Sequence, residues 1–316
     1  MSGGGGIVPR TLLLAEPRGF CAGVVRAIDA LDRLLSQVDE PVYVFHEIVH
    51  NRYVVDGFKS RGAVFIDDIS EAPDGAFVVF SAHGVDPAII KNAEQRELKV
   101  IDATCPLVTK VHLEARKAAK DGYKILLVGH DGHDEVQGTK GEAPDKTSVV
   151  DSAQDVLAIS DPEAPVFVVT QTTLSVEDTL GTIEAIKDRF PDAEIRNDIC
   201  YATTNRQQAV KEMAERADLV IVVGSTNSSN SVRLVEVAKS MGVRAQLVDG
   251  LNDIDPAWYA DAETVGLTAG ASVPDELLDP IIEDLKMRGV INIEPVVVAE
   301  ETVEFRLPLE LSESME

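Results

Sequence analysis

Three cysteines are the residues of this chain best suited to chemistry, and they share one local pattern. They lie in Ala15-Glu-Pro-Arg-Gly-Phe-Cys21-Ala-Gly-Val, Ile101-Asp-Ala-Thr-Cys105-Pro-Leu-Val and Asn197-Asp-Ile-Cys200-Tyr-Ala-Thr-Thr. Each follows a short apolar run or its polar exit, and each precedes a helical pattern: Val24 to Leu35, Val108 to Ala119 and Arg206 to Ala217. Every thiol is therefore expected at a strand-to-helix turn. The partial positive charge of a helix N-terminus lowers a thiol pKa and favours thiolate.

The spacings are 105 − 21 = 84 and 200 − 105 = 95 residues, one cysteine per domain-sized block. A disulfide framework needs pairs, and 316 residues bury a large core without staples. Three thiolates with one open position suit an iron–sulfur cube with one iron lacking a protein ligand, or a zinc ion carrying a water. The competing explanation is three unrelated buried cysteines, each a small hydrophobe. The shared context, with no other cysteine in the chain, favours ligation.

The elements that must position these thiols alternate along the chain. Strand candidates are 11–15, 42–45, 63–66, 76–80, 98–101, 124–128, 148–150, 166–170, 219–223, 244–248 and 265–268, with amphipathic stretches such as 87–97, 176–190, 232–241 and 275–288 between them. This alternation predicts an α/β fold with largely parallel sheets. The cysteine blocks suggest three domains at 10–104, 105–197 and 198–290. Residues 1–9 read as a flexible start, and 291–316 as a C-terminal segment able to return to an earlier block through an extended run at 296–308.

Ligands of open α/β sheets bind beyond the C-terminal ends of strands. The segments there are His46–Asn51, Ser81–Gly84, Gly129–Glu135, Thr170–Thr173, Gly224–Ser231 and Thr268–Ser272. They are rich in Gly, Ser, Thr, Asn and His and poor in Lys. Backbone N–H groups and hydroxyls at helix starts cradle phosphates, and histidine adds a proton-dependent charge. Five of the six histidines fall in such loops; the sixth, His112, sits in a helical pattern and reads as an ordinary surface residue. Glu135, between histidines and a threonine-rich loop, is suited to supply protons in a closed site.

A rival motif is His46-Glu47-Ile48-Val49-His50, which matches the H-E-x-x-H of zinc metallohydrolases. That chemistry needs both histidines on one helix face and a further ligand. The apolar run Val42 to Phe45 just before it argues for a strand end, and a hydrolase leaves the three cysteines without a task. No G-x-G-x-x-G follows the first strand, so no dinucleotide site is expected.

Composition narrows the classes. The net charge is −25, with no basic stretch to neutralise phosphates, which argues against nucleic acid. An anionic ligand must then be held by local features. Leu12-Leu13-Leu14 is too short to span a membrane, and no secretory segment is legible, so a reducing cytoplasmic setting is the expectation.

Taken in order, these motifs together with Asp102-Ala-Thr-Cys105, Thr170-Gln-Thr172-Thr, Ser228-Ser229-Asn230 and Ala269-Gly-Ala-Ser272 resemble the 4-hydroxy-3-methylbut-2-enyl diphosphate reductases (the LytB/IspH family), from about residue 11 to 290. The resemblance implies a three-domain, cloverleaf-like α/β fold around a central iron–sulfur cluster. It implies Cys21, Cys105 and Cys200 as ligands of a 4Fe-4S cluster with one open iron, which can decay to a 3Fe-4S form. It assigns His50, His83, His133, Ser228, Ser229, Asn230 and Ser272 to the diphosphate, Glu135 to proton donation and Thr172 to substrate contact and proton relay. The implied activity is reductive dehydroxylation of an isoprenoid diphosphate, the last step of the non-mevalonate pathway, with electrons from an external ferredoxin or flavodoxin. His46 and His130 match family positions but are not expected as ligands.

Overall fold

The computed structural model describes residues 8–160 and 164–312; the expected flexible start lies outside them except for its last two residues. The first stretch of chain forms β1 (Thr11–Glu16), α1 (Ala22–Gln37), β2 (Val42–Phe45), α2 (Arg52–Ser60), β3 (Ala63–Ile66), β4 (Phe77–Phe80), α3 (Pro87–Gln95), β5 (Lys99–Asp102) and α4 (Pro106–Lys120). The middle forms β6 (Lys124–Val128), α5 (Asp134–Gly141), β7 (Thr147–Val150), α6 (Ala153–Ala158), β8 (Val166–Thr170), α7 (Val176–Arg189), β9 (Glu194–Ile195) and α8 (Tyr201–Ala214). The last stretch forms β10 (Leu219–Val223), α9 (Ser229–Ser240), β11 (Arg244–Val248), β12 (Thr264–Ala269), α10 (Asp279–Arg288), β13 (Asn292–Val297) and α11 (Leu309–Ser312).

The described strands pair in parallel throughout and make three sheets, ordered β3-β2-β4-β5, β7-β6-β8-β9 and β11-β10-β12-β1-β13. The fold is thus α/β with parallel sheets in three similar units, as the alternation predicts. Each sheet repeats one order: the second strand outside the first, then the third, then a fourth. In the five-stranded sheet that fourth strand is β1, supplied from the start of the chain. Each fourth strand (β1, β5, β9) leads into one of the three cysteines.

Packing divides the chain into two compact units. One contains the residues up to Cys21, His50–Val54 and Tyr201–Val303, and holds the five-stranded sheet. Its central strands are buried on both faces, as helix-covered parallel sheets require. Leu12, Leu219, Ile221 and Leu267 pack on one side with Ile281 and Leu285 of α10. Leu13, Val220 and Val222 pack on the other with Val210, Met213 and Leu234 of α8 and α9. The second unit contains Ala22–Val49, Val55–Cys200 and the residues from Glu304, and holds both four-stranded sheets. In its β6–β9 sheet, Ile125 and Leu127 face α4 residues Val111 and Ala115, while Leu126 and Val128 face Val156 and Ile186 of α6 and α7. Helix α4 carries the one misread histidine: His112 is 7 % exposed, not on the surface, with Nδ1 at 3.3 Å from the Glu142 carboxylate. Among the described residues no helix is long and apolar enough to cross a membrane.

Candidate active site

The three thiols occupy equivalent places. Residue 21 follows β1 and precedes α1, residue 105 follows β5 and precedes α4, and residue 200 follows β9 and precedes α8. None of them forms a disulfide, and all are partly exposed. Each cysteine N–H donates to a carbonyl two residues beyond the third strand of its sheet: Cys21 to Ala271 (3.1 Å), Cys105 to Ala82 (2.9 Å) and Cys200 to Thr172 (3.0 Å). The repeated bond ties every thiol to the loop at the C-terminal end of the strand beside it. That edge, where the first and third strands of a sheet turn in opposite directions, is the binding position of open α/β folds. Thiols at helix starts, unpaired by disulfides, are the donor type that iron–sulfur clusters take.

In the unit holding β2–β9, the expected acid is built around Thr172. Glu135 lies in the first turn of α5 and is 2 % exposed. Thr172 donates twice to it, from its N–H to Oε1 (2.6 Å) and from its hydroxyl to Oε2 (3.0 Å). Burial pushes the Glu135 pKa from its ordinary 4.5 up to about 7; the Thr172 bonds oppose this, and the nearby Asp198 charge adds to it. The Thr172 carbonyl meanwhile holds the Cys200 N–H, so one residue connects the acid with a thiol loop.

The neighbouring histidines are oriented by their own loops. His133 caps α5, its Nδ1 accepting from the Glu135 N–H at 3.2 Å, which leaves the neutral ring's proton on Nε2. The His83 ring stands edge-on to it, 6.0 Å between centroids, with Nδ1 at 3.2 Å from the Ser81 hydroxyl.

In the unit holding the five-stranded sheet, Ser228 caps α9 by accepting from the Ser231 N–H at 3.3 Å, and half-buried Ser229 opens that helix. Asn230 is 4 % exposed; its Nδ2 donates to the Thr203 hydroxyl and its Oδ1 accepts from the Ala271 N–H. The Ser272 hydroxyl donates to the His50 carbonyl at 2.9 Å. Gly224 and Gly270 flank Ser231 so closely that a Cβ at either would overlap its hydroxyl. The structure thus gathers Cys21, His50, Ser228, Ser229, Asn230 and Ser272 in this unit, and His83, Cys105, His133, Glu135, Thr172 and Cys200 in the other.

Comparison with known proteins places this architecture. The family model described as "LytB protein" matches residues 12–286. The chain belongs to the LytB protein family. LytB relatives named 4-hydroxy-3-methylbut-2-enyl diphosphate reductase include one from Mycolicibacterium vanbaalenii, 53% identical over 97% of this chain and 92% of that one. Another, from Actinobacillus pleuropneumoniae, is 51% identical over 95% and 98%. Among solved structures, the E-1-hydroxy-2-methyl-but-2-enyl-4-diphosphate reductase of Plasmodium falciparum superimposes with a TM-score of 0.94 at 38% identity, covering 96% of this chain and 97% of that one.

Membership of the LytB family leaves no place for the zinc hydrolase. Residues 46–50 form an irregular bend between β2 and α2, not the helix that H-E-x-x-H requires. His46 turns there with φ 59° and places Nδ1 at 2.9 Å from Asp134, beside His133; that bond raises its pKa. His130 pairs instead with Asp151 at 2.8 Å.

Sequence reasoning also missed three residues that hold the cysteine loops of this LytB chain. Asp198, 7 % exposed, accepts from Lys110 Nζ at 2.8 Å, linking the Cys200 loop to α4, the helix that follows Cys105. Asp102 caps the Cys105 loop through the Thr104 N–H at 2.9 Å. Arg206 is wholly buried beneath the Cys21 loop. The first two carry a legible signal, an aspartate two or three residues before a cysteine.

Proposed function

We propose that this chain reductively dehydroxylates (E)-4-hydroxy-3-methylbut-2-enyl diphosphate to isopentenyl and dimethylallyl diphosphates. The observation that carries the reading is the buried Glu135, doubly bonded to Thr172, whose carbonyl holds the Cys200 loop. Overall the reaction consumes two electrons and two protons: the allylic C–O bond breaks, its oxygen leaves as water, and a proton adds to carbon. Cys21, Cys105 and Cys200 would hold a 4Fe-4S cluster, which supplies one-electron transfers and a Lewis-acidic iron for the substrate hydroxyl. An external ferredoxin or flavodoxin is the proposed electron source, in a reducing cytoplasm that keeps the thiols available.

Glu135 donates the proton that turns the leaving hydroxyl into water. A carboxyl with a pKa near 7 is still partly protonated at neutral pH, and its closeness to Thr172 gives a short relay to the substrate. The diphosphate is held by neutral or weakly charged donors. His83 and His133 offer ring N–H groups, Ser229 its hydroxyl, Asn230 its amide, and the start of α9 its backbone N–H groups, while the Ser272 hydroxyl would turn from the His50 carbonyl to join them. His50 and Ser228 complete the set. Remote binding energy from the diphosphate then fixes the small alcohol against the acid.

Anaerobic iron and acid-labile sulfide analysis, followed by product analysis with a chemical one-electron reductant, tests the reading. The expected result is iron and sulfide in near-equal amounts and both five-carbon diphosphates as products. Bound zinc without sulfide, or an unchanged substrate, would overturn it.

A further inference from the structure

Arg206 is the bulkiest side chain in the described structure to be buried completely, and the expected chemistry gives it no task. It stands in the second turn of α8, which begins one residue after Cys200. Its Nε and Nη2 donate to the Gly19 carbonyl at 3.1 and 2.7 Å, and Nη2 reaches the Phe20 carbonyl at 3.5 Å. Nη1 donates to the Ala202 carbonyl at 2.9 Å and to Glu301 Oε1 at 3.0 Å, while Nη2 lies 3.3 Å from Glu301 Oε2. Glu301 also accepts from Asn205 Nδ2 at 3.0 Å. One guanidinium therefore joins the loop before Cys21, the first turn of α8 and the segment following β13.

Burying a charge this deeply is costly unless all its donors are met. An apolar residue could fill the space, but it would leave the Gly19 and Phe20 carbonyls without these donors. Those two residues immediately precede Cys21. The same loop is fixed from its other side, with Gly19 N–H on the Ala269 carbonyl and Cys21 N–H on that of Ala271. Gly19 itself has φ +63°, and a Cβ there would meet the Val273 carbonyl and Asp275 Oδ1 at 2.9 Å. Hydrogen bonds from two sides and a tightly enclosed left-handed glycine thus define the backbone that carries this thiol.

We propose that Arg206 is a positioning residue for the metal ligand Cys21, with Glu301 as its counter-ion, so that the segment after β13 belongs to the cluster-holding framework. The inference rests on the reading of Cys21 as a ligand. Its own test reads the loop, in the full-length chain stripped of metal under reducing conditions. Alkylation of Cys21, Cys105 and Cys200 by iodoacetamide is followed separately by mass spectrometry, the latter two serving as internal references. The double variant Arg206→Met/Glu301→Leu removes the pair without stranding a buried charge; Glu301→Gln is the milder form, used if the double variant does not fold.

The expected result is Cys21 alkylation faster by about fivefold relative to both references in the double variant, and by about twofold in Glu301→Gln, as a locally loosened loop requires. After reconstitution, chelator should bleach the visible absorbance of these variants correspondingly faster. Arg206→Lys should recover only part of the protection, because a single ammonium cannot reproduce the guanidinium fork. Three thiols accelerating together would mean a general loss of stability, and unchanged Cys21 reactivity would mean a rigid loop without Arg206; either overturns the proposal. A wild-type chain that binds no iron and sulfide would defeat the ligand reading alone, leaving the alkylation result intact.

Discussion

Replacing Glu135 by Gln isolates the buried carboxyl bonded to Thr172. The carboxyl titrates at about 7 instead of its ordinary 4.5. At pH 7 roughly half of the molecules carry the proton, against well under a hundredth for an unperturbed glutamate. Raising the carboxyl from 4.5 to about 7 corresponds to about 3 kcal/mol disfavouring the buried anion. Its sign is fixed by linkage: between pH 4.5 and 7 the folded state binds the proton more tightly than the unfolded chain does, so this group lowers stability as pH rises through that window. Glutamine keeps an acceptor for the Thr172 N–H and cannot ionise.

The expected stability difference between Glu135→Gln and the unaltered chain, from urea unfolding at pH 5 and pH 8, therefore moves in the variant's favour by about 2.5 kcal/mol, because the unfolded carboxyl is already largely ionised at pH 5. Parallel pH dependences in the two proteins would refute the buried, proton-holding carboxyl. Single-turnover rates should tell the same story. The unaltered chain should slow above about pH 7, displaced upward when the anionic diphosphate is bound, since a nearby negative charge favours the protonated acid. The variant should lose about 10²- to 10⁴-fold in rate, the usual contribution of a positioned acid, with substrate affinity nearly kept. A variant still turning over within a few-fold of normal would remove Glu135 from the reaction.

Lys110→Met strips the partner from buried Asp198 and leaves its negative charge facing Glu135; the alkaline limb of the rate profile should move up by about half a pH unit, screened because Lys110 is half exposed. A limb that stays put would show the pair to be structural only. His133→Phe should cost about 1 kcal/mol of stability through the lost α5 cap and weaken inorganic pyrophosphate binding, as calorimetry can measure. Gly270→Ala forces a methyl into the Ser231 hydroxyl and should lower stability by about 1–3 kcal/mol, read as a fall in melting temperature. Serine in place of Cys21, Cys105 or Cys200 should abolish or destabilise the visible absorbance of the reconstituted protein; an unaltered spectrum would exclude that cysteine as a ligand.

How much of this was legible in the sequence depends on what each feature needs. Parallel strands buried on both faces announce themselves as apolar runs, so Leu219–Val223 and Lys124–Val128 were placed almost to the residue. The strand–cysteine–helix context was equally local and matched α1, α4 and α8. The tail strand was not: β13 is Asn292–Val297, ahead of the expected 296–308, and its Glu294-Pro295 breaks the apolar pattern. Proline is tolerated there because β13 lies at the edge of its sheet, beyond β1. Nor could periodicity show that His112 is buried, since the Glu142 carboxylate that meets its Nδ1 comes from the end of another helix.

The same distinction separates the three blocks read from the sequence from the three sheets. Each sheet repeats the strand order and delivers its thiol from the fourth strand, but the repeat begins at β2. Strand β1 completes the sheet of β10–β12, and the segment after β13 returns Glu301 to Arg206 beside Cys21. A sequence scan counts cysteines from the start of the chain and so assigns Cys21 to the block it opens. Hydrogen bonding assigns it to the sheet that closes the chain, because its N–H is held by Ala271. Strand β1 and the segment just after β13 thereby meet at the loop that carries Cys21. Cys105 and Cys200, whose sheets are each contiguous in sequence, need no such closure, and among the described residues the fully buried arginine stands at Cys21.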